Sequence, residues 1–544
     1  MRLVSVEQMK AIEKEADAAG LSYAQMMENA GQGVAEVIQD LIVEDSEEEV
    51  FALVGSGNNG GDALVALAHL AADGWRARAY LIKRKPDPLV QRLEKAGGEV
   101  IAAEDDAEFA SLSAFVQTAS VLVDGVLGTG AKLPLKEDLA SILAEVQAIL
   151  EEQEHRPIVV AVDCPSGMDC DTGEAAPECI EADLTVTMAA IKQGMLRMPA
   201  YQLIGSLEVV DIGLPENLPS LQSPSPEVAE EEMVGALLPK RPVDSHKGTF
   251  GTALIAAGSI NYTGAAGLAG QAAYRVGAGL VTLAVPAPLH AILASGFPEA
   301  TWVLLPHQMG VIARDAAEVL TKNWERATAL LIGPGLGTED TTREFIGDLL
   351  SARTAPKKSQ GRIGFLPAEA ENLQDQPNHA LGLVIDADGL RLLAKIKEWP
   401  SLLPGMAVLT PHPGEMSALT GLSVVEIQGD RQAIASRFAK DWGHVIVLKG
   451  AFTVVAAPDG RVVIIPVASP ALARAGTGDV LAGAIVGLRA QGVEPFNAAV
   501  AGAWIHAQAG LYAADDIGNT ASVLASDVLD AISDVMTDLN TGQS

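Results

Sequence analysis

The stretch of this chain best equipped for chemistry is Ala475-Gly476-Thr477-Gly478-Asp479, which runs straight into the apolar segment Val480 to Leu488. A glycine-rich turn that opens a helix aims unpaired backbone N–H groups at an anion, and Asp479 falls in the first turn, facing it. That arrangement suits phosphoryl transfer: phosphate on the helix N-terminus, and a carboxylate to take the proton of a reacting hydroxyl. The plain alternative is a helix cap after a flexible turn.

The motif has company. Val447-Leu448-Lys449-Gly450-Ala451-Phe452-Thr453 reads as a strand ending in a Lys-Gly pair, with a hairpin closed by Pro458-Asp459-Gly460. Thr410-Pro411-His412-Pro413-Gly414-Glu415 is a rigid turn presenting an imidazole and a carboxylate, and Gly333-Pro334-Gly335-Leu336-Gly337 and Asp386-Ala387-Asp388-Gly389 precede it. The amino-terminal half has a second set. Phe51 to Val54 runs into Gly55-Ser56-Gly57-Asn58-Asn59-Gly60-Gly61-Asp62, a polar glycine loop before a helix and a natural phosphate cradle. Its paired Asn and its Asp add side-chain oxygens that suit a hard cation or ribose hydroxyls. Val123-Asp124-Gly125-Val126-Leu127-Gly128-Thr129-Gly130 and Val162-Asp163-Cys164-Pro165-Ser166-Gly167-Met168-Asp169 are two more oxygen-rich strand ends.

The elements that must position these residues are short apolar strands alternating with helical patterns. In the first half the strands are Phe51 to Val54, Arg78 to Ile82, Val121 to Asp124, Ile158 to Asp163, Leu184 to Met188 and Leu207 to Ile212. In the second they are Thr252 to Ala257, Leu280 to Val285, Leu330 to Ile332, Leu383 to Asp386, Ala407 to Thr410 and Val445 to Leu448. Such alternation predicts two α/β layers, the first a doubly wound parallel sheet, whose loops beyond the carboxyl ends of the strands converge on one crevice. The proline-rich, acidic stretch 214–242 reads as a linker, and the polar, aperiodic stretch 352–380 as a surface insertion.

The order strand, HPGE turn, KG hairpin, GTGD helix resembles the ribokinase-like fold, and with the GPGLG and DADG segments it looks more narrowly like NAD(P)H-hydrate dehydratase. The NNGGD loop with Asp124, Asp163 and Ser166 resembles NAD(P)H-hydrate epimerase, the usual fusion partner. The resemblance implies a Rossmann-like epimerase domain over 1–213, the linker over 214–242 and an ADP-dependent dehydratase domain over 243–544. It also implies small-molecule substrates, the hydrates of NADH and NADPH with ADP as co-substrate, and a homo-oligomer. Asp479 would be the base, and the Gly476 and Gly478 N–H groups would hold the transferring phosphate. Lys449, Gly450, Ala451, Phe452 and Thr453, with the loop Ser469 to Gly478 that includes Gly476, Thr477 and Gly478, and Asp479 after it, would contact the nucleotide. Gly335 and His412, Pro413, Gly414, Glu415, Met416, Ser417 and Ala418 would contact the hydrate. In the first domain Asp163 and Lys132 match catalytic positions. Asn58, Asn59, Gly60, Gly61 and Asp62, together with Gly128, Thr129, Gly130, Ala131, Lys132, Leu133 and Pro134, match the substrate pocket. Asn59, Asp124 and Ser166 match a potassium site. Magnesium is expected for charge neutralisation, although no carboxylate cage is visible. Ala63 and Cys164 depart from the family pattern, both as small residues, and Cys164 reads as packing because no base adjoins it. The competing reading is a ribokinase-like kinase of a stable alcohol, with a non-catalytic nucleotide-binding first domain.

Composition sets the outer limits. At 544 residues with 49% hydrophobic content the chain exceeds one core. A formal net charge of −33 argues against nucleic acid as partner. Cys164, Cys170 and Cys179 show neither disulfide nor zinc spacing, which fits a reduced cytoplasmic setting. Ser5 to Gln8 reads as a capping box opening a charged amphipathic helix rather than a leader, and no uncharged run is long enough to span a bilayer.

Overall fold

The computed structural model describes residues 1–41, 48–222, 225–354 and 381–541. The chain divides into two compact units, Met1–Pro226 and Glu227–Ser544.

In the first unit seven strands form one sheet: β1 (Glu49–Val54), β2 (Arg76–Leu81), β3 (Glu99–Ala102), β4 (Val121–Gly125), β5 (Ile158–Val162), β6 (Leu184–Met188) and β7 (Ser206–Val210). They lie in the order 3-2-1-4-5-6-7 and every neighbouring pair is parallel. This is the doubly wound arrangement, with its switch point between β1 and β4. Buried on both faces, β1 is apolar from Val50 to Val54 and β4 from Val121 to Val123, with no alternation. Helix α1 (Val6–Ala18) opens on the expected capping box, Ser5 accepting from Gln8 N–H and Gln8 reaching back to Ser5 N–H. The short strand Leu3–Val4 pairs in parallel with Ile191–Lys192. Helix α2 (Asn58–Ala72) starts inside the glycine segment, so Gly55 to Gly57 form the turn while Asn58 to Asp62 already belong to the first helical turns.

The second unit has a ten-stranded sheet: β8 (Glu227–Val228), β9 (Thr252–Ala256), β10 (Leu280–Pro286), β11 (Thr301–Leu305), β12 (Ala329–Ile332), β13 (Gly382–Ile385), β14 (Val408–Leu409), β15 (Val445–Leu448), β16 (Val454–Ala456) and β17 (Val462–Ile464), in the order 8-17-16-15-14-13-12-9-10-11. It is parallel except where the hairpin of β16 and β17 runs back along β15. The Pro458-Asp459-Gly460 turn closes that hairpin, with Gly460 in the left-handed region at φ 96°.

Helix α3 (Gly264–Arg275) lies against α4 (Thr477–Ala490), the helix opened by GTGD. A Cβ on Gly483 would fall 2.2 Å from the Ala269 carbonyl oxygen, so the Ala/Gly tracts exist to let two backbones approach. The stretch 214–242, read as a linker, holds the helical turn Pro219–Gln222, β8 and the helix Glu231–Leu237 among its described residues. Of the stretch 352–380, residues 352–354 end the helix Asp340–Thr354 and the rest lies outside the described residues.

Candidate active sites

The register of the first sheet places the ends of β1, β4 and β5 side by side, Val54 opposite Gly125 and Asp124 opposite Ala161. Beyond them opens a cavity of about 610 Å³ whose walls include Asn58, Asn59, Asp62, Gly128 to Lys132, Asp163 and Lys192. Asp163 directly follows β5 with φ 63°, a left-handed conformation that a non-glycine residue adopts at a cost, and one that recurs where geometry serves function. Its Oδ1 accepts from Lys192 Nζ and from Thr187 Oγ1 at 3.2 Å. Lys192 is 1% exposed and also donates to Thr187 Oγ1 at 2.7 Å and to the Met188 carbonyl at 3.1 Å, so its charge is fully engaged. Burial, then the Asp163 and Glu13 charges, hold the Asp62 carboxyl well above the ordinary carboxylate range. Lys132 is exposed on the rim loop.

Behind this wall Asn59, Asp124 and Ser166 meet. Ser166 Oγ donates to Asp124 Oδ1 at 2.5 Å and Ser166 N–H to Oδ2 at 2.7 Å, while Asn59 Nδ2 donates to the Leu127 carbonyl at 3.0 Å. Asp124 is wholly buried among these neutral partners, and burial raises its pKa. Gly60, Gly61, Leu133 and Pro134 do not line the cavity.

The second site is likewise built from strand ends in register, Ile332 opposite Ile385 and Ile385 opposite Leu409. Lys449, just past β15, donates its backbone N–H to the Pro411 carbonyl, which ties the KG and HPGE segments together. Its Nζ lies 2.6 Å from Asp386 Oδ1 and 3.8 Å from Glu415 Oε2. Burial opposes the Lys449 charge, yet Asp386 and Glu415 outweigh it and raise its pKa. The same Nζ lies 3.6 Å from where a Cβ on Gly478 would stand, so the lysine reaches the mouth of α4. Burial, with Asp386 and Asp388 adding to it and Lys449 opposing, pushes the Asp479 carboxyl up to about 7. A carboxyl poised there is available both as ionised base and as acid near neutral pH, which suits general base catalysis on a hydroxyl.

His412 caps the helix Pro413–Thr420. Its Nδ1 accepts from Gly414 and Glu415 N–H, and Glu415 accepts from His412 N–H at 3.0 Å. Met416 is fully buried, and Ser417 turns its hydroxyl to the Leu422 carbonyl at 2.6 Å. Thr477 also turns inward, donating its hydroxyl to the Arg474 and Leu472 carbonyls. Gly335, at φ 62°, is held against Tyr262 and Ala265 at the start of α3.

Two family models match the chain, one on each side of the boundary between the two units. A family model described as NAD(P)H-hydrate dehydratase matches residues 253–534, and one described as YjeF-related protein N-terminus matches 23–194. Over 94% of its length the chain is 36% identical to the bifunctional NAD(P)H-hydrate repair enzyme of Moorella thermoacetica, covering 92% of that protein. The chain belongs to the bifunctional NAD(P)H-hydrate repair enzyme family. The Escherichia coli enzyme of that name is 31% identical over 97% of this chain and 93% of its own. A crystallised ADP/ATP-dependent NAD(P)H-hydrate dehydratase from Bacillus subtilis is 30% identical, with a TM-score of 0.47 over 58% of this chain and 100% of its own.

Three titratable residues in or beside these two sites escape motif reading. Lys192 is the one charge at the end of Thr185-Val186-Thr187-Met188-Ala189-Ala190-Ile191, and a lysine closing an apolar run is the signal that could have found it. Glu13 lies on the amphipathic first helix, where a carboxylate looks like solvated surface. His506 is buried beneath α4 with its Nε2 unpartnered, and burial pushes its pKa down to about 4. It is hidden in a helix of small apolar residues.

Proposed function

We propose that this chain repairs hydrated reduced nicotinamide dinucleotides, its first unit interconverting the R and S hydrates and its second dehydrating the S hydrate with ADP. The observation that carries the reading is the cluster at α4: an anion-binding helix mouth, a carboxyl near neutrality and a half-buried lysine within reach of both.

The hydrate carries a hydroxyl on the ring carbon beside the ring nitrogen, and hydroxide leaves poorly. Asp479 takes the proton of that hydroxyl as its oxygen attacks the terminal phosphorus of ADP, and AMP departs. The Gly476 and Gly478 N–H groups and Lys449 hold the charge that spreads over the transferring phosphoryl oxygens. The ring nitrogen's lone pair then expels phosphate, and loss of a ring proton restores the dihydronicotinamide. One AMP and one phosphate form per NAD(P)H. Lys449 to Thr453 would line the nucleotide, and Gly335 with the His412 to Ala418 segment the hydrate. Magnesium would be held chiefly by the nucleotide phosphates, which it neutralises.

In the first unit, Asn58, Asn59 and Asp62 with Gly128 to Lys132 would bind the hydrate, with Asp163 as the reacting carboxylate and Lys132 at the rim. Asn59, Asp124 and Ser166 offer only oxygens beside a buried, uncompensated carboxylate, a donor set that fits potassium. A cation there would neutralise Asp124. Supplying ADP and the S hydrate and counting AMP, phosphate and NADH tests the dehydratase half: equal yields support it. Phosphorylated hydrate accumulating without NADH would favour a simple kinase.

A further inference from the structure

Epimerisation at a carbon bearing a hydroxyl needs that oxygen protonated as it leaves and water deprotonated as it returns to the other face. Two groups on different walls of one cavity serve this better than one. Asp163 supplies the strand-end wall, and the first helix supplies another. Helix α1 buries Met9, Ile12 and Ala16 and turns Lys10 and Glu13 into the lining of the same cavity.

The helix is fixed at both ends. Leu3–Val4 pairs with the strand that carries Lys192, Val4 directly opposite it, and Val6 N–H donates to Asp171 Oδ1 at 2.8 Å. Near its other end Glu15 accepts from Ser220 Oγ at 2.7 Å. The backbone pairing that seats Lys192 beside Asp163 therefore also seats Glu13 over the pair. Residue 13 precedes the family-model match, which starts at 23, and no motif named above includes it.

We propose that Glu13 is a further catalytic residue of the first unit, the proton donor to the departing hydroxyl. This rests on the epimerase reading. The Glu13 carboxyl gives its proton to the hydroxyl oxygen, and the carbon–oxygen bond breaks with its electron pair leaving on water. The ring nitrogen's lone pair closes an iminium, which the Asp163 carboxylate faces. Water then adds to the opposite face and loses its proton to Asp163. The two carboxyl groups exchange roles in the reverse direction, and proton exchange with solvent resets them. Lys192 positions Asp163 through its ion pair with Oδ1. The groups facing Glu13 are Lys10 on its own helix, Asp62 on α2, Asp163 after β5 and Lys192. Burial, then the Asp163 charge, raises the Glu13 pKa despite the two lysines, which favours the protonated form a donor needs.

The test follows R-to-S conversion in the full chain, comparing wild type with Glu13→Gln and Glu13→Asp across pH. For Glu13→Gln, kcat should fall about 10²–10³-fold with KM within about twofold, and the alkaline decline of wild-type kcat should vanish. Glu13→Asp, which keeps a carboxyl on the helix, should recover part of the rate together with that decline. A Glu13→Gln variant as fast as wild type overturns the proposal, and so do two variants equally inactive, because then the side chain matters only for structure. A wild-type chain that leaves the R hydrate untouched overturns the epimerase reading itself.

Discussion

Asp479 gathers the second unit's chemistry into one carboxyl, and its environment makes a signed prediction. As a base it must be ionised, so the dehydratase rate should rise with pH up to about 7 and level off above it. Replacing Lys449 by Met removes the charge that opposes the upward shift, and the rising limb should move to higher pH. The same shift has a stability consequence. With a folded-state pKa raised above its unfolded value, Asp479 favours the native state fully at pH below the unfolded value near 4, and that contribution is lost as pH rises through about 7. Asp479→Asn should therefore abolish dehydration yet raise the melting temperature at pH 8, by an amount on the order of 1–3 kcal/mol of stability. An unchanged or lower melting temperature would show that the carboxylate is better solvated than its position implies. The residue types at this site were legible from spacing alone: GTGD, KG and HPGE each announce a turn with a polar head. The partner that tunes them was less so, because Asp386 contributes through burial and through a 2.6 Å contact with Lys449, and burial is a property of the folded chain.

Elements explain why distant motifs meet. Both sites lie beyond the carboxyl ends of parallel strands, and the apolar runs with glycine at their ends announced those strands within a residue or two. The edge strands β3, β8 and β11 did not announce themselves; β3, for one, has no fully buried residue and so lacks an apolar signature. Close backbone approach is equally invisible in sequence. Gly333 has φ 135°, and a Cβ there would fall 1.8 Å from the Asp386 carbonyl oxygen, so the GPGLG loop can reach the DADG loop only with glycine. Gly333→Ala should cost more than about 2 kcal/mol in urea melts and remove dehydratase activity while R-to-S conversion in the first unit persists. Full dehydratase activity in that variant would mean that the loop has room the structure denies it.

At the scale of the whole molecule, two units with independent sheets and independent sites let each activity be removed alone. The first unit's oxygen pocket extends this to ions. Exchanging potassium for a bulky organic cation should slow R-to-S conversion and leave ADP-driven dehydration of pure S hydrate unaffected, measured on the same preparation. Equal effects on both would place the cation requirement elsewhere. No described helix is long and apolar enough to cross a membrane. The net charge of −33 makes local cations the means of holding anionic substrates, which is how Lys449 and the helix mouths are arranged. Substrate identity was legible only through family resemblance, because residues that bind phosphate and take a proton are shared by many alcohol kinases. The decisive measurement is the recovery of reduced-nicotinamide absorbance from a mixed R and S hydrate with ADP, run on wild type, Asp479→Ala and Asp163→Ala. Full recovery by wild type, none by Asp479→Ala, and recovery by Asp163→Ala limited to the S fraction plus slow spontaneous epimerisation is the predicted result. No recovery by wild type with ADP or ATP would contradict the account.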